Sequence, residues 1–295
     1  MNCPLCDNRA PLVIGNPITS RKAAHFIRQD YKVVKCTQCE FYFVDPKIDL
    51  SIEEWAQLYG NEYFLSLNNW YKSQRINDVQ LRLKKMSKIY NGSKINFLDL
   101  GCGEGIALIE ALQNNWNTYG SDISDNRVDD AKQKGIIFSQ GDLFSAGYPN
   151  DFFDIIHMDS VLEHVINPTN YLEELFRIMK KNAVLYIGVP NEDSLFDNLR
   201  QLIFKYVKKS TFSAKIRPFE TPFHINGFTK KSLKIIAKIS GFEIIEIKNF
   251  ATYFEYKKYP FLSRGFLIHF LSLPIDIAAI PLKMEKYFAV YLRKN

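Results

Sequence analysis

Apolar and polar positions alternate regularly in the middle of the chain. Between residues 91 and 190, short apolar runs are separated by segments in which apolar residues recur every three or four positions. Short apolar runs predict buried strands and the longer spacing predicts helices, so this part is expected to form a parallel sheet with helices on both faces. The predicted strands are residues 95–100, 118–122, 136–139, 152–158 and 183–189.

Helix signals accompany these strands. The spacing predicts a helix over 106–115, and Pro168 is suited to the first position of another helix. Ser124 begins a polar segment that stops before Gly135, which predicts a short capped helix over 124–134.

The last third contains two further strands and two irregular segments. Residues 242–248 and 287–293 predict strands, and Thr229 is expected to cap the helix that precedes the first of them. Residues 198–217 have six basic residues, no acidic residue and apolar positions at helical spacing, which is typical of a basic amphipathic segment. A second apolar stretch, 261–282, is broken by charged residues and by two prolines.

The segment that precedes the central part is helical in pattern. Its apolar residues recur at three- and four-residue spacing and form one stripe, which we expect to pack on the edge of the next domain. The stripe contains Ile76, Val79, Leu83, Met86 and Tyr90. Of the aromatic residues before it, Tyr63 or Tyr71 is a candidate to cover a bound cofactor, and packing in the core is the alternative.

Two CxxC pairs lie near the start of the chain. Cys3 and Cys6 are separated from Cys36 and Cys39 by 29 residues, and predicted strands flank the second pair. Four thiolates fill the tetrahedral shell of a structural zinc ion, so this layout predicts a zinc ribbon. Four unrelated reduced cysteines and disulfides are the alternatives.

The opening residues argue against disulfides. They lack the basic and apolar regions of a signal peptide. No charge-free run reaches the roughly 18 to 20 residues that a membrane-spanning helix needs. We therefore expect a cytoplasmic protein.

A strand that runs into three alternate glycines organises the rest of the chain. Residues 96–105 place Gly101, Gly103 and Gly105 directly after an apolar run and before a helical pattern. Glycine lets the backbone approach a ligand closely, and a strand-to-helix turn presents unpaired N–H groups, so this loop is expected to hold a polar cofactor. A dinucleotide would also suit such a turn followed by an acid after the second strand.

Three carboxylates narrow the choice of cofactor. Asp99 precedes the glycines, Asp122 ends the second predicted strand and Asp142 follows the third. A cofactor with an amino acid at one end and adenosine at the other uses all three. Asp99 can serve the ammonium group, Asp122 can accept from both ribose hydroxyls, and Asp142 can accept from the adenine amino group. We therefore predict S-adenosylmethionine.

With these motifs, the sequence resembles the class I S-adenosylmethionine-dependent methyltransferases. Residues 98–105 match the family's first motif, and Gly120–Ser124, Gly141–Asp142 and Phe153–Ile156 occupy its later stations. Leu162–Val165 resembles the branch that includes quinone-biosynthesis O-methyltransferases. The CxxC pairs resemble bacterial relatives with a zinc ribbon, including sugar methyltransferases.

The resemblance implies an α/β, Rossmann-like sheet of seven strands with the last one antiparallel. It also implies three parts: a zinc ribbon over 1–48, linking helices and a cofactor lid over 49–90, and a methyltransferase domain over 91–295. Segments 191–228 and 255–286 of that domain lie where the fold builds its substrate cover. The expected cofactor contacts are Asp99, Gly101, Cys102, Gly103, Gly105, Asp122, Ile123, Asp142, Leu143 and Asp159.

Methyl transfer mainly requires alignment of the acceptor with the methyl carbon and exclusion of water. A hydroxyl acceptor must also lose its proton, and an imidazole suits that role. His164 is the first candidate base and His224 the second. A structural histidine bonded to backbone is the alternative for His164, and Glu163 with His164 could instead bind a divalent ion.

The basic excess of the chain is local. Residues 191–295 contain 18 basic and 9 acidic residues, whereas residues 91–190 contain 7 and 14. We therefore expect a small-molecule acceptor that is anionic or lipid-linked, such as an activated sugar, with peripheral membrane contact through the last third. A solvated basic face is the alternative, and nucleic acid is not the expected partner. A nucleic-acid or protein methyltransferase and a non-catalytic cofactor-binding scaffold are the other hypotheses.

Overall fold

The computed structural model describes residues 2–59, 69–133, 135–207, 209–252 and 255–295. Tyr63 and the side chain of Tyr71, the candidates for a cofactor lid, lie outside this described part.

The first 45 residues form a small antiparallel sheet. Its strands are β1 (Leu12–Gly15), β2 (Lys32–Lys35) and β3 (Tyr42–Asp45), in the order β1-β2-β3. The strands predicted on both sides of the second CxxC pair are therefore present. The pattern misses β1 because it is short and its first two residues, Leu12 and Val13, are exposed.

The central sheet has seven strands within the described residues. They are β4 (Asn96–Leu100), β5 (Asn117–Asp122), β6 (Ile136–Gln140), β7 (Phe153–Asp159), β8 (Met179–Pro190), β9 (Phe242–Phe250) and β10 (Tyr287–Lys294). Their order is β6-β5-β4-β7-β8-β10-β9, and β10 runs antiparallel to both neighbours. This arrangement confirms the expected sheet and places the C-terminal ends of β4 to β7 at one edge.

The helices of the described part are α1 (Ile52–Tyr59), α2 (Asn69–Tyr90), α3 (Ile106–Gln113), α4 (Pro168–Ile178), α5 (Leu195–Leu202), α6 (Lys230–Ile239) and α7 (Arg264–Leu282). Helices α4 and α6 pack on the central sheet in one apolar core, and α2 and α3 pack on it in a second. Helix α1 packs with the N-terminal sheet, and α5 packs against α7. Helix α2 packs on the sheet through Val79, Leu83 and Met86, as the apolar stripe predicts, whereas Ile76 is exposed.

The helix predicted over 124–134 is wrong for most of its length. The structure has a single 3-10 turn, Asp129–Lys132. Ser124 caps no helix, because its hydroxyl accepts from Asn126 at 2.5 Å and its N–H donates to Asp122. Such local side-chain hydrogen bonds compete with helix formation.

The last third differs from the pattern in two places. The segment 198–217 is helical only in its first part: α5 begins earlier, behind the cap Ser194, and continues as a π-helical turn over Ile203–Val207. The stretch 261–282 is not broken, because α7 runs through Pro274 and Pro281. Within the described part, α7 is long and apolar enough to cross a membrane by length and composition, although it is not charge-free, because it contains Arg264 and Asp276.

A third apolar core joins the N-terminal sheet to the segment 214–228. Val33, Tyr42 and Val44 pack with Ile216 and Phe219. The same pair of segments is linked by backbone hydrogen bonds between Tyr42 and Gly227 in both directions, each 2.9 Å long. The N-terminal sheet is therefore built onto the segment that carries His224.

Candidate active site

The glycine loop lies between the end of β4 and the start of α3. Gly101 has a φ of +66°, and a Cβ there would lie 2.4 Å from Val161 Cγ2. Gly103 has a φ of +50° and open space at its Cβ position, which leaves room for a ligand against the backbone. Gly105, also in the left-handed region, precedes α3 at its N-terminus.

Asp122 ends β5 beside this loop. Its Oδ2 accepts from the backbone N–H of Gly103 at 2.8 Å, and its Oδ1 accepts from Ser124 N at 3.2 Å. Burial raises the pKa of Asp122 against the opposing effect of these hydrogen bonds. A carboxylate held in this way has lone pairs left for ligand hydroxyls.

The remaining expected cofactor contacts lie along the same edge. Asp142 is exposed after β6, and its Oδ1 accepts from Ser145 N at 2.7 Å. Ile123 is 57% exposed, so its side chain is available to a ligand, whereas Leu143 is buried in the core. The Cys102 N–H donates to Ser121 O at 3.3 Å, and burial raises the pKa of its thiol.

Asp99 has a partner that the sequence pattern does not reveal. Its Oδ1 lies 2.7 Å from His157 Nδ1, and both side chains are buried. A carboxylate only accepts, so Nδ1 carries a proton. Nε2 has no hydrogen-bond partner within the described residues, and the ring stacks on Tyr186 at a centroid distance of 5.1 Å.

Asp99 and His157 line a cavity beside the glycine loop. Its walls include Asp99, Gly101, Cys102, His157, Asp159 and Arg82. Asp159 forms an ion pair with Arg82 of α2. Burial opposes ionisation of Asp159, but the nearby guanidinium outweighs that effect and lowers its pKa. Thr252 and Glu255, from the segment between β9 and β10, also line the cavity.

His164 and His224 come together on a second, buried carboxylate. Their Nε2 atoms lie 4.0 Å and 3.9 Å from Glu163 Oε1, and their ring centroids are 5.0 Å apart. Both side-chain carboxyl oxygens of Glu163 lack a hydrogen-bond partner in the part of the chain that the structure describes. The backbone holds the group together, because Ile225 N and Asn226 N each donate to Glu163 O at 3.0 Å.

Burial keeps this cluster uncharged. It raises the pKa of Glu163 to about 8 and lowers the pKa of His164 to about 4, while the pKa of His224 also falls well below its usual value. Neutral imidazoles can accept a proton, and three ligand atoms at this spacing could also hold a divalent ion. Neither His164 nor His224 lines the cavity beside Gly101, whereas His157 does.

The four N-terminal cysteines form a compact cluster of free thiols. Sγ of Cys3 lies 3.5 Å from that of Cys39, and Sγ of Cys6 lies 3.6 Å from that of Cys36. Thiolates bound to one zinc ion at about 2.3 Å would be about 3.8 Å apart in a tetrahedron. All four ligand atoms lie within 4.8 Å of one another, which fits that ion.

The two CxxC turns have the same backbone. In each, the first cysteine accepts at its carbonyl from the residue after the pair, Asp7 or Glu40, at 2.9 Å and 3.0 Å. Asp7 and Glu40 have φ values of +55° and +62°, a conformation that glycine adopts more easily. The turns therefore keep the geometry of a zinc ribbon without its usual glycines.

Comparisons with known proteins agree with this geometry. The family model described as a methyltransferase domain matches residues 71–247. The uncharacterized protein MJ0638 of Methanocaldococcus jannaschii is 30% identical over 176 residues, which cover 60% of this chain and 72% of that protein. The ubiquinone biosynthesis O-methyltransferase of Rickettsia prowazekii is 26% identical over 53% of this chain and 70% of its own length.

A solved structure resembles the fold. The SAM-dependent methyltransferase from Archaeoglobus fulgidus superposes with a TM-score of 0.51 at 19% identity, covering 77% of this chain and all of that one. At this identity the likeness concerns the fold alone.

Proposed function

This chain belongs to the methyltransferase-domain family, with the sheet of the class I S-adenosylmethionine-dependent enzymes, and from this membership we propose that it methylates a hydroxyl, or a carbon, of a lipid-linked small molecule. One observation carries the choice of acceptor. The cavity beside Gly101 is lined in part by Glu255, whose Oε2 lies 3.1 Å from His269 of the outward-facing apolar helix α7. An acceptor with a polar head and an apolar tail suits such a neighbourhood.

The residues at the carboxyl edge fit the cofactor. The open backbone at Gly103 and the Asp122 carboxylate would hold the ribose side, and Asp142 would hold the adenine. The Asp99–His157 pair would hold the amino-acid end. When bound, S-adenosylmethionine supplies an electrophilic methyl carbon on a good leaving group.

A hydroxyl acceptor requires a base on the protein. We propose His164 as that base, with His224 as its neighbour, because both are uncharged near neutral pH and share the buried Glu163. His157 is the alternative: its Nε2 is unpartnered among the described groups and Asp99 fixes its tautomer. The four cysteines are proposed to hold a structural zinc ion.

Names of relatives add weight to a lipid-linked acceptor. Besides the ubiquinone biosynthesis enzyme, the demethylmenaquinone methyltransferase of Lactobacillus johnsonii is 28% identical over 39% of this chain and 59% of its own length. Both names refer to isoprenoid quinones. An activated sugar remains the second candidate acceptor because the last third is basic.

Product analysis tests the proposal. The full-length protein would be incubated with isotopically labelled S-adenosylmethionine and, separately, a demethylated quinol, nucleotide sugars, RNA and a protein extract, followed by mass spectrometry. We expect label on the quinol with equimolar S-adenosylhomocysteine, and much less product with Asp122→Ala than with the matched surface variant Asp130→Ala. Label on RNA or protein would overturn the acceptor class, and cofactor binding without turnover on any acceptor would favour a scaffold.

A further inference from the structure

Helix α7 is oriented with its polar side inward. Its polar and small residues Ser272, Asp276 and Ala279 are buried, at the spacing of one helix face. On the opposite side, Leu267, Phe270 and Leu271 are exposed. Within the described side chains of α7, Ser272, Asp276 and Ala279 are the buried ones, although most residues of the helix are apolar. A helix that packs on a protein core normally shows the reverse pattern.

Specific contacts fix this orientation. Asp276 Oδ2 accepts from Lys286 Nζ at 2.8 Å, and His269 Nδ1 lies 3.1 Å from Glu255 Oε2, so two side chains of α7 are paired with residues outside the helix. The hydroxyl of Ser263 caps the helix by accepting from Phe266 N at 3.2 Å. The outward apolar face is therefore a built feature of the folded chain.

A second element extends the apolar surface. Helix α5 packs against α7, and none of its residues is fully buried. Leu202 at its end and Tyr206 and Val207 in the π-helical turn are exposed. These side chains, Phe261 and the outward face of α7 are together called here the apolar platform.

Basic residues accompany this platform. Lys257, Arg264 and Lys283 are exposed, whereas Lys258 is half-buried. The acidic residue between residues 256 and 284 is the buried, paired Asp276. Such a combination complements an anionic lipid surface, where apolar side chains enter the headgroup region and lysines contact phosphates.

The topology excludes a spanning helix. Phe250 at the end of β9 and Tyr287 at the start of β10 are paired across the sheet, so the segment that contains α7 leaves and returns at one point. A spanning helix would separate its ends by about 30 Å across the bilayer. Asp276 of α7 also faces the protein, where it is paired with Lys286. Helix α7 is therefore suited to lie in the plane of a membrane.

We propose that the apolar platform docks the protein on anionic membranes, with α7 parallel to the surface and its outward face inserted among the headgroups. Docking of this kind does not depend on which acceptor is methylated, because it follows from the exposed face of α7, the surrounding charges and the topology. The platform also adjoins the cavity wall through Glu255 and His269, so docking would bring the cavity close to lipid.

Co-sedimentation with vesicles tests the proposal without cofactor or acceptor. The full-length protein would be mixed at low salt with phosphatidylcholine vesicles with and without phosphatidylglycerol. We expect binding to the anionic vesicles that weakens as salt is raised. Leu271→Glu should lower the partition coefficient by about tenfold or more. Ile137→Glu, at a comparably exposed site on β6 at the opposite edge of the sheet, should bind like wild type.

The charge contribution has its own matched pair. Replacing the exposed Lys257 and Lys283 by glutamine should weaken binding to anionic vesicles by at least about fivefold. The same change at the exposed Lys234 and Lys238 of α6 should have little effect. Circular dichroism would verify that each variant is folded. Wild-type protein that stays in the supernatant with anionic vesicles, or Leu271→Glu that binds as well as wild type, overturns the proposal. Loss of a dimer in Leu271→Glu without vesicle binding by wild type would identify a second copy as the occupant instead.

Discussion

Replacing Glu163 by glutamine is expected to change how the free energy of unfolding depends on pH. The carboxyl group is buried next to His164 and His224, and burial raises its pKa from 4.5 to about 8. The folded protein therefore binds a proton that the unfolded chain releases. The stability from this proton is fully present below about pH 4.5 and is lost as pH rises towards 8.

The size of the effect follows from the shift in pKa. Each pH unit between the two pKa values is worth about 1.4 kcal/mol, so the interval from pH 6.5 to 8 corresponds to about 2 kcal/mol. His164 and His224 contribute mainly below pH 6.5. Burial lowers the pKa of both, so the unfolded chain binds more protons than the folded protein there and stability falls as pH falls. Glutamine does not titrate, so the difference between variant and wild type isolates Glu163.

Urea unfolding followed by tryptophan fluorescence at the two pH values measures this difference. We expect Glu163→Gln to gain about 2 kcal/mol relative to wild type between pH 6.5 and 8. The matched control is Glu173→Gln, an exposed position on α4, which should show no such gain. A difference between wild type and Glu163→Gln that is the same at both pH values would refute the burial argument.

Three further changes test the cofactor edge and the ribbon. Asp122→Ala should raise the dissociation constant for S-adenosylmethionine by about tenfold or more, because charge-assisted hydrogen bonds are lost; equal affinity by calorimetry would contradict the ribose assignment. Gly101→Ala should lower stability by about 1–3 kcal/mol because of its positive φ and the approach to Val161, and an unchanged melting temperature would contradict this. Cys36→Ser should reduce the zinc content measured by plasma mass spectrometry, whereas full zinc occupancy would exclude the four-cysteine site.

The sheet could be predicted from the sequence because its signals are local. Each central strand is a short apolar run bounded by turn residues, and the glycines after β4 identify where the cofactor edge begins. The seven-stranded sheet with its antiparallel last strand is then implied by the resemblance of these motifs to the class I methyltransferases. The prediction of the buried face of α2 is also confirmed for Val79, Leu83 and Met86, which recur at helical spacing.

The features that sequence reasoning missed depend on contacts between distant residues. Asp99 and His157 meet because they are paired across β4 and β7, and a single sequence does not give that register. His224 reaches Glu163 only because the backbone after it is bonded to Glu163 O. The two prolines predict a break in the stretch 261–282, whereas α7 continues through both of them and buries Ser272, Asp276 and Ala279.

The N-terminal ribbon acts on the candidate catalytic cluster through packing. The ring of Tyr31 lies 5.0 Å from that of Phe219, and Tyr42 forms paired backbone hydrogen bonds with Gly227. His224 lies between these two anchor points. The segment from 219 to 227 would otherwise cross the surface as irregular chain, since its own described residues form no helix or strand of the central sheet. The N-terminal sheet supplies apolar partners for this segment, because Val33 and Val44 pack in one core with Phe223 and Ile225. Those two residues flank His224, so this packing helps to determine where the His224 imidazole lies relative to Glu163.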